Sequence, residues 1–316
     1  MSAAAARLGM SQAAVSQAVN ALEEVLAVEL FDRSVRPPAL TLLGTSALKH
    51  ALETFAKLHE LEDAMRYGAS GRVPLLRIGM LDSFTSTAGA SVLEQLRDVA
   101  TEWTVASGYR ATSLQSLVDR RSDAIITSDD ATVPAGVEGR TILTEAFQLA
   151  VPIGHKGDVG DMKSIVADLD FIRYGRDAHM GRVIEGYFRR SGVQPVARYQ
   201  FDTTDAVLRM VAAGFGWTIV TPLIFLKSMV PPKTVRVVPL PGAPLRRTLI
   251  VAMRRGDSAE ILQRIGAAAV KSLRDVVLPQ IRTLLPQSVD QFVIAKEGAA
   301  GARRRKPTSP IRKSSR

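Results

Sequence analysis

Between residues 75 and 222, short apolar runs alternate with amphipathic stretches. "LLRIGM" is followed by residues 87 to 100, "WTVAS" by 112 to 121, and then comes "DAIIT"; later "LDFIRY" precedes 179 to 191, "VARYQF" precedes 204 to 213, and "WTIVTP" closes the series. A short apolar run bounded by turn formers is a buried strand. A longer stretch with apolar residues three and four apart is a helix lying on one face of the sheet. This order predicts an α/β fold with parallel strands joined by crossover helices.

A chain of 316 residues with 46% hydrophobic content can bury a core and is long enough for two or three compact units. It contains no cysteine, which rules out a disulfide framework and a thiolate metal site and fits a reducing compartment. No basic n-region followed by an apolar h-region opens the sequence. The longest uncharged run, 210–226, is interrupted by Gly214, Gly216 and Pro222, so it reads as a helix end plus a strand, with no membrane span. A cytoplasmic protein is the expectation.

The amino-terminal stretch is of another kind. "AAAARL", with Ala4, Ala5 and Leu8 on one side, forms a short helix that Gly9 ends, and Ser11 is placed to cap the next. At 100° per residue Val15, Val19, Leu22 and Leu26 share one narrow arc, while Gln12, Ala13, Ser16, Gln17 and Asn20 fill the opposite one. Amides, hydroxyls and a methyl of that length suit base edges in a major groove. A solvated polar face on an ordinary helix would present the same residues. Charge does not decide between the two: residues 1–68 hold six Lys/Arg against eight Asp/Glu, although the whole chain carries a formal +10.

The run that follows decides it. Ala4-Ala5, Leu8, Ser11-Gln12, Ala14-Val15-Ser16, Leu22-Glu23, Leu26, Leu30-Phe31-Asp32-Arg33 and Leu40-Thr41 with Gly44 resemble the winged helix-turn-helix of the LysR-type bacterial transcriptional regulators. The resemblance implies that Ser11, Gln12, Ala13, Ser16, Gln17 and Asn20 form the DNA-reading surface, that Arg33 holds a phosphate, and that "RSVRPPAL" is the wing with Arg36 near the minor groove. Pro37 and Pro38 suit a wing tip, since neither can pair inside a sheet. Ala13 stands where the family often has proline, and Ala27 where it usually has glycine. The family also has a further helix before "AAAARL". A start codon placed too late, or a truncated product, is the expectation, with Val15, Val19 and Leu22 losing cover.

From Thr41, a plausible cap, to Tyr67 there is no proline, and Leu48, Ala51, Leu52, Phe55, Leu58, Leu61 and Met65 make a long apolar stripe. An ordinary surface helix would show a stripe too, but this length favours pairing with a second copy, and the resemblance implies the same dimer helix. The expected organisation is a winged helix-turn-helix over 1–45, a linker helix over 46–67, a hinge over 68–74, an effector-binding domain over 75–286 and a disordered basic tail over 287–316. The fold class is α/β, in which the two-subdomain effector-binding domain is of periplasmic-binding-protein type. Subdomain I is expected over 75–152 and 252–286, and subdomain II over 153–251.

Within that domain the resemblance continues in "LRIGM" and "VAAGFGWTIVTP". "GFGWTI" is a turn: its glycines end a helix and lead into a strand, the reverse of a dinucleotide site. Arg120-Arg121-Ser122 stand before Asp123, where relatives commonly have a glycine. "LDSFTSTAG" follows the first strand and opens a helix, so Ser83, Thr85 and Ser86 offer hydroxyls suited to a carboxylate, though helix capping explains the same residues. The resemblance turns this loop toward effector contact and, by matched loop position, adds Arg110, Ser128, Tyr174, Arg176 and Thr221. An anionic effector would pair with Arg110 or Arg176. No P-loop, nucleophile elbow, metal-ligand spacing or cofactor motif is present, and no enzyme is expected. The tail holds Arg303, Arg304, Arg305, Lys306, Arg312, Lys313 and Arg316 without an acid; it is a solubilising appendage or a nonspecific phosphate tether.

The expected partners are double-stranded promoter DNA, a small-molecule effector and one or three further copies of the chain, with no membrane. The rival readings are a solute-binding or ligand-sensing protein without DNA binding, and an enzyme on the same two-lobed scaffold.

Overall fold

The computed structural model describes residues 4–5, 9–35, 37–70, 72–108, 114–128, 134–175 and 178–296, with 60–70 described by backbone alone. It falls into two compact units, Met1–Gly71 and Arg72–Arg316.

In the first unit, the helix Gln12–Leu26 begins where Ser11 Oγ accepts the Ala14 N–H at 3.1 Å, as the sequence suggests. It ends at Ala27, which has a left-handed φ of 52° and whose N–H donates to the Glu23 and Glu24 carbonyls. A glycine would adopt that conformation without a Cβ clash. Strand β1, Phe31–Asp32, pairs antiparallel with β2, Ala39–Leu40, and Pro37 and Pro38 lie in the turn between them. The Glu23 carboxylate ties wing to helix: one oxygen accepts the Leu30 and Phe31 N–H groups at 2.7 and 3.1 Å, and the other meets Arg33 at 2.7 Å. These donors, the Leu30 amide foremost, hold the carboxyl below its ordinary pKa.

Thr41 Oγ1 caps the next helix by accepting the Gly44 N–H at 2.9 Å. Gly44 itself lies so close to the Leu30 carbonyl that a Cβ there would collide with it. The helix runs over Leu42–Ser70, 29 residues, so it starts before the expected 46 and absorbs the first part of the expected hinge. Thr41 supplies the earlier start, and Gly68 in a helix costs only about 1 kcal/mol.

The second unit holds β3 (Val73–Met80), β4 (Ala100–Ser107), β5 (Ala124–Ser128), β6 (Val137–Ala146), β7 (Gln148–Pro152), β8 (Phe171–Tyr174), β9 (Ala197–Phe201), β10 (Thr218–Val220), β11 (Val235–Pro239), β12 (Arg246–Arg254) and β13 (Phe292–Ile294). A six-stranded sheet ordered β13-β6-β12-β5-β3-β4 forms the first lobe. The second lobe has the sheets β10-β7-β11 and β8-β9, bridged by Phe171 and Trp217. Among the described strands β3-β4, β3-β5 and β8-β9 pair parallel, as does the Phe171–Trp217 bridge, and the other pairs are antiparallel, so the sheets are mixed rather than parallel throughout. The reason is topological. A chain that leaves one lobe and later returns to it re-enters running the other way, and β12 does so between β5 and β6.

The crossings lie at Phe147 and Leu245, where the Phe147 N–H donates to the Leu245 carbonyl at 2.8 Å. Strand β7 therefore belongs to the second lobe and β12 to the first, which moves both expected subdomain limits by about six residues toward the amino terminus. Order also persists past the expected limit of 286. A 3-10 helix, Pro286–Gln291, leads into β13, whose Val293 lies opposite Thr144. Gln148 Nε2 donates to Ser288 Oγ at 2.6 Å and Gln287 Nε2 to the Val237 carbonyl at 2.7 Å, so this segment touches both lobes. The basic residues from 303 onward lie outside the described residues.

The first lobe packs Ile78, Met80, Phe84, Val92, Leu96, Ile125 and Ile126 without exposure above 1%. The second centres on Trp217, with the Phe171 ring 4.8 Å and the Phe188 ring 6.0 Å away. Arg120, at the departure from the family glycine, has φ 55°. The adjoining Asp123 accepts the Arg77 backbone and guanidinium at 2.8 to 3.1 Å. Burial would raise its pKa, but the Arg77 bonds outweigh burial and hold the carboxyl below its ordinary value.

Candidate functional site

On the helix Gln12–Leu26, Gln12, Ala13, Gln17 and Asn20 are exposed and Ser16 is half-buried, while Val15 on the opposite arc is buried and Val19 half-buried. Leu22 and Leu26, expected on the core side, are exposed. Each keeps about half of its surface open, at 48% and 46%. Ser11 is exposed as well, with its hydroxyl engaged in the cap. Asn20 Oδ1 accepts from the Arg33 guanidinium, which also reaches Glu23. The residue expected on a base and the residue expected on a phosphate are thus already joined, with Arg33 still 55% exposed. Arg36 lies outside the described residues.

The second candidate site is the cleft between the lobes. Strand β3 ends at Met80 and a helical segment starts at Asp82, which buries Ser83 at its first turn and exposes Ser86. Across the cleft, β10 ends at Val220 and the helix Pro222–Lys227 begins, with Thr221 as its buried cap. Arg247 on β12 joins the two sides: Nη2 lies 2.9 Å from Thr221 Oγ1 and 3.3 Å from Ser83 Oγ, and Nε bonds Glu145 Oε1 at 2.7 Å. Glu145 is fully buried, and its second oxygen accepts the Leu223 N–H at 3.1 Å. Neither charge is left alone, as a dry interior requires.

Two further polar contacts cross between the lobes. Ser128, at the end of β5, places Oγ 3.1 Å from Nε2 of His179, the first residue of the helix His179–Ser191. Lys227 Nζ lies 2.6 Å from Asp82 and 3.0 Å from Asp205. Burial pulls the Lys227 ammonium down, and the two carboxylates more than reverse this, so its pKa stands above the ordinary lysine value.

The structure therefore brings Ser83, Ser128 and Thr221 into the network that joins the lobes. It places Thr85 and Tyr174 otherwise. The Thr85 hydroxyl donates back to the Leu81 carbonyl at 3.1 Å. The buried Tyr174 hydroxyl donates to the Ile219 carbonyl at 3.0 Å, with burial driving its pKa upward. Arg110 and Arg176 lie outside the described residues. Glu145, Arg247, Lys227, Asp82 and His179 were not anticipated. A charged residue within an apolar strand, such as Glu145 in "LTEAFQLAV", was the one signal available.

A wing-bearing helix-turn-helix unit and a two-lobed α/β unit with a polar cleft define a DNA-binding regulator that responds to a small molecule. Residues 1–45 match the bacterial regulatory helix-turn-helix model of the lysR family, and residues 69–272 match the LysR substrate-binding domain. The chain belongs to the LysR family of transcriptional regulators. It is 29% identical over 272 residues to the HTH-type transcriptional regulator IlvR of Caulobacter vibrioides, which covers 82% of this chain and 88% of that one. It is 27% identical over 300 residues to a probable hydrogen peroxide-inducible genes activator of Streptomyces viridosporus, covering 88% and 91%. Full-length OxyR from Pseudomonas aeruginosa superposes with a TM-score of 0.60 at 19% identity, over 86% of this chain and 89% of that one. Full-length CbnR complexed with its target DNA gives 0.52 at 20% identity, over 86% and 93%. At these identities the two solved structures support the fold.

Proposed function

We propose that the chain reads promoter DNA with Gln12, Ala13, Ser16, Gln17 and Asn20, that Arg33 holds a phosphate with Arg36 near the minor groove, and that two or four copies assemble through the helix Leu42–Ser70. Freed from Asn20 on binding, Arg33 would turn to the backbone and leave the amide to a base edge. A small effector would enter the cleft by replacing the contacts of Ser83, Ser128, His179 and Thr221, and so change the angle between the lobes. The observation that carries this reading is the meeting of hydroxyls from both lobes at Arg247, 2.9 and 3.3 Å from its Nη2. Polar groups that satisfy each other across a closed cleft are the groups a ligand must satisfy when it displaces them. This sequence has no cysteine, so a thiol does not carry the signal in it. The relatives are regulators, and we assign no enzymatic activity.

Footprinting across a salt series, on DNA upstream of the chain's own gene and its neighbours, tests this. A discrete site of near two-fold symmetry is expected. Gln17→Ala is expected to weaken that site by about 1–3 kcal/mol while leaving nonspecific binding unchanged. Uniform protection that vanishes with salt would overturn the reading.

A further inference from the structure

Apart from the cleft, the second lobe carries a pocket of about 360 Å³, lined among others by Arg173, Glu185, Phe188, Arg189, Val193 and Pro195. None of the cleft residues named above lines it. Arg173 comes from β8, and Glu185, Phe188 and Arg189 from the helix His179–Ser191.

Its polar wall is unfinished. Arg173 Nε lies 3.1 Å from Glu185 Oε1, close enough for attraction between the charges. Yet both atoms are buried and neither has a hydrogen-bond partner. The ion pair thus leaves the hydrogen-bonding capacity of both atoms unused. The donor on Arg173 needs an acceptor, and the acceptor on Glu185 needs a donor. With Arg173 and Arg189 against the one carboxylate of Glu185, the lining attracts a ligand carboxylate and offers one place for an ammonium. One water could bridge the pair but occupies only about 30 Å³, a small part of the space. Phe188, Val193 and Pro195 supply an apolar wall beside these charges. We propose that this pocket is a second ligand site, for a small zwitterion with an apolar side chain, of the α-amino acid class. Its carboxylate would pair with Arg173, its ammonium with Glu185, and its side chain would lie on Phe188.

A reporter is built in. The Phe188 ring packs edge-on against Trp217 at 6.0 Å, and the sequence has two tryptophans. In a Trp103→Phe background, emission from Trp217 would be followed while the full chain is titrated with L-valine, L-methionine and L-phenylalanine, and then with phenylalaninamide and 3-phenylpropanoate. Saturable binding of at least one amino acid is expected. Loss of either ligand charge, or the change Glu185→Gln, should weaken it about tenfold or more. Three results would each overturn the proposal: no saturable response to any amino acid, with calorimetry also silent; 3-phenylpropanoate bound as tightly as L-phenylalanine; or binding that Glu185→Gln leaves unchanged in a variant with native circular dichroism. Should that variant fail to fold, the ligand series alone decides.

Discussion

The helices Gln12–Leu26 and His179–Ser191 are similar in length and both amphipathic, but their apolar faces meet different fates. The second buries Met180, Gly181, Ile184, Tyr187 and Phe188 against its own lobe. The first buries Val15, while Leu22, Val25 and Leu26 remain 48%, 81% and 46% exposed. An amphipathic pattern says that a face is suited to being covered; it does not say by what. With few buried side chains among its described residues, the first unit relies on local polar ties, the Ser11 and Thr41 caps and the Glu23 bridge, and on the close approach at Gly44. The second unit relies on its interior, where one mispaired charge is costly.

The largest effect should therefore come from the interior. Arg247→Met leaves Glu145 buried and unpaired and is expected to cost about 3–5 kcal/mol, seen as a lower urea midpoint for the second unit. The double change Arg247→Met with Glu145→Leu should recover most of that. A single-variant cost below about 1 kcal/mol would mean that the pair is not desolvated, and the contrast between the units would weaken.

Next come two of the three non-glycine residues held in left-handed backbone among the described residues, Ala27 in the first unit and Arg120 in the second. Ala27→Gly and Arg120→Gly should each stabilise by about 0.5–1 kcal/mol, the relief of Cβ strain exceeding the entropy of glycine. Thermal unfolding followed unit by unit would show the gain at Ala27 in the first transition and the gain at Arg120 in the second. A loss at either position would mean that its φ is not positive in solution.

The smallest effect concerns acid. Glu23 and Asp123 both have pKa values lowered in the folded chain, the first by the Leu30 amide and the second by Arg77 against the pull of burial. Their stabilisation is therefore present above the ordinary carboxylate pKa and is lost as pH falls through the lower folded value. Asp123→Asn should flatten the acid limb of the second unit's stability profile and Glu23→Gln that of the first. An unchanged limb would remove the carboxylate from that role.

Much of this was legible from residue order. The periodicity of 179 to 191 matches the observed helix His179–Ser191, and "GFGWTI" is the turn it resembled, with Gly216 at φ 154°. The helix starts at Ser11 and Thr41 follow from side chains that accept N–H groups three residues on. Sheet direction was not legible, because local pattern does not reveal that a chain will leave a lobe and return. Nor was the Arg247–Glu145 pair, whose members stand 102 residues apart in sequence. Ser83 stands out by its hydroxyl at a helix start and Ser128 and Thr221 by matched loop position, all without the arginine and histidine that engage them.

Strand β13 has a consequence for how the molecule behaves in company. It lies along the outer side of β6 from Leu143 to Glu145, and the Ala295 N–H continues the ladder to the Ile142 carbonyl. Without it, that part of β6, with Ile142 and Leu143 beside it, would offer open peptide groups at the rim of the sheet. Such a rim recruits strands from neighbouring molecules. A chain cut before Pro286 would thus present a sticky margin, and its first symptom would be clumping during refolding rather than loss of DNA or effector binding.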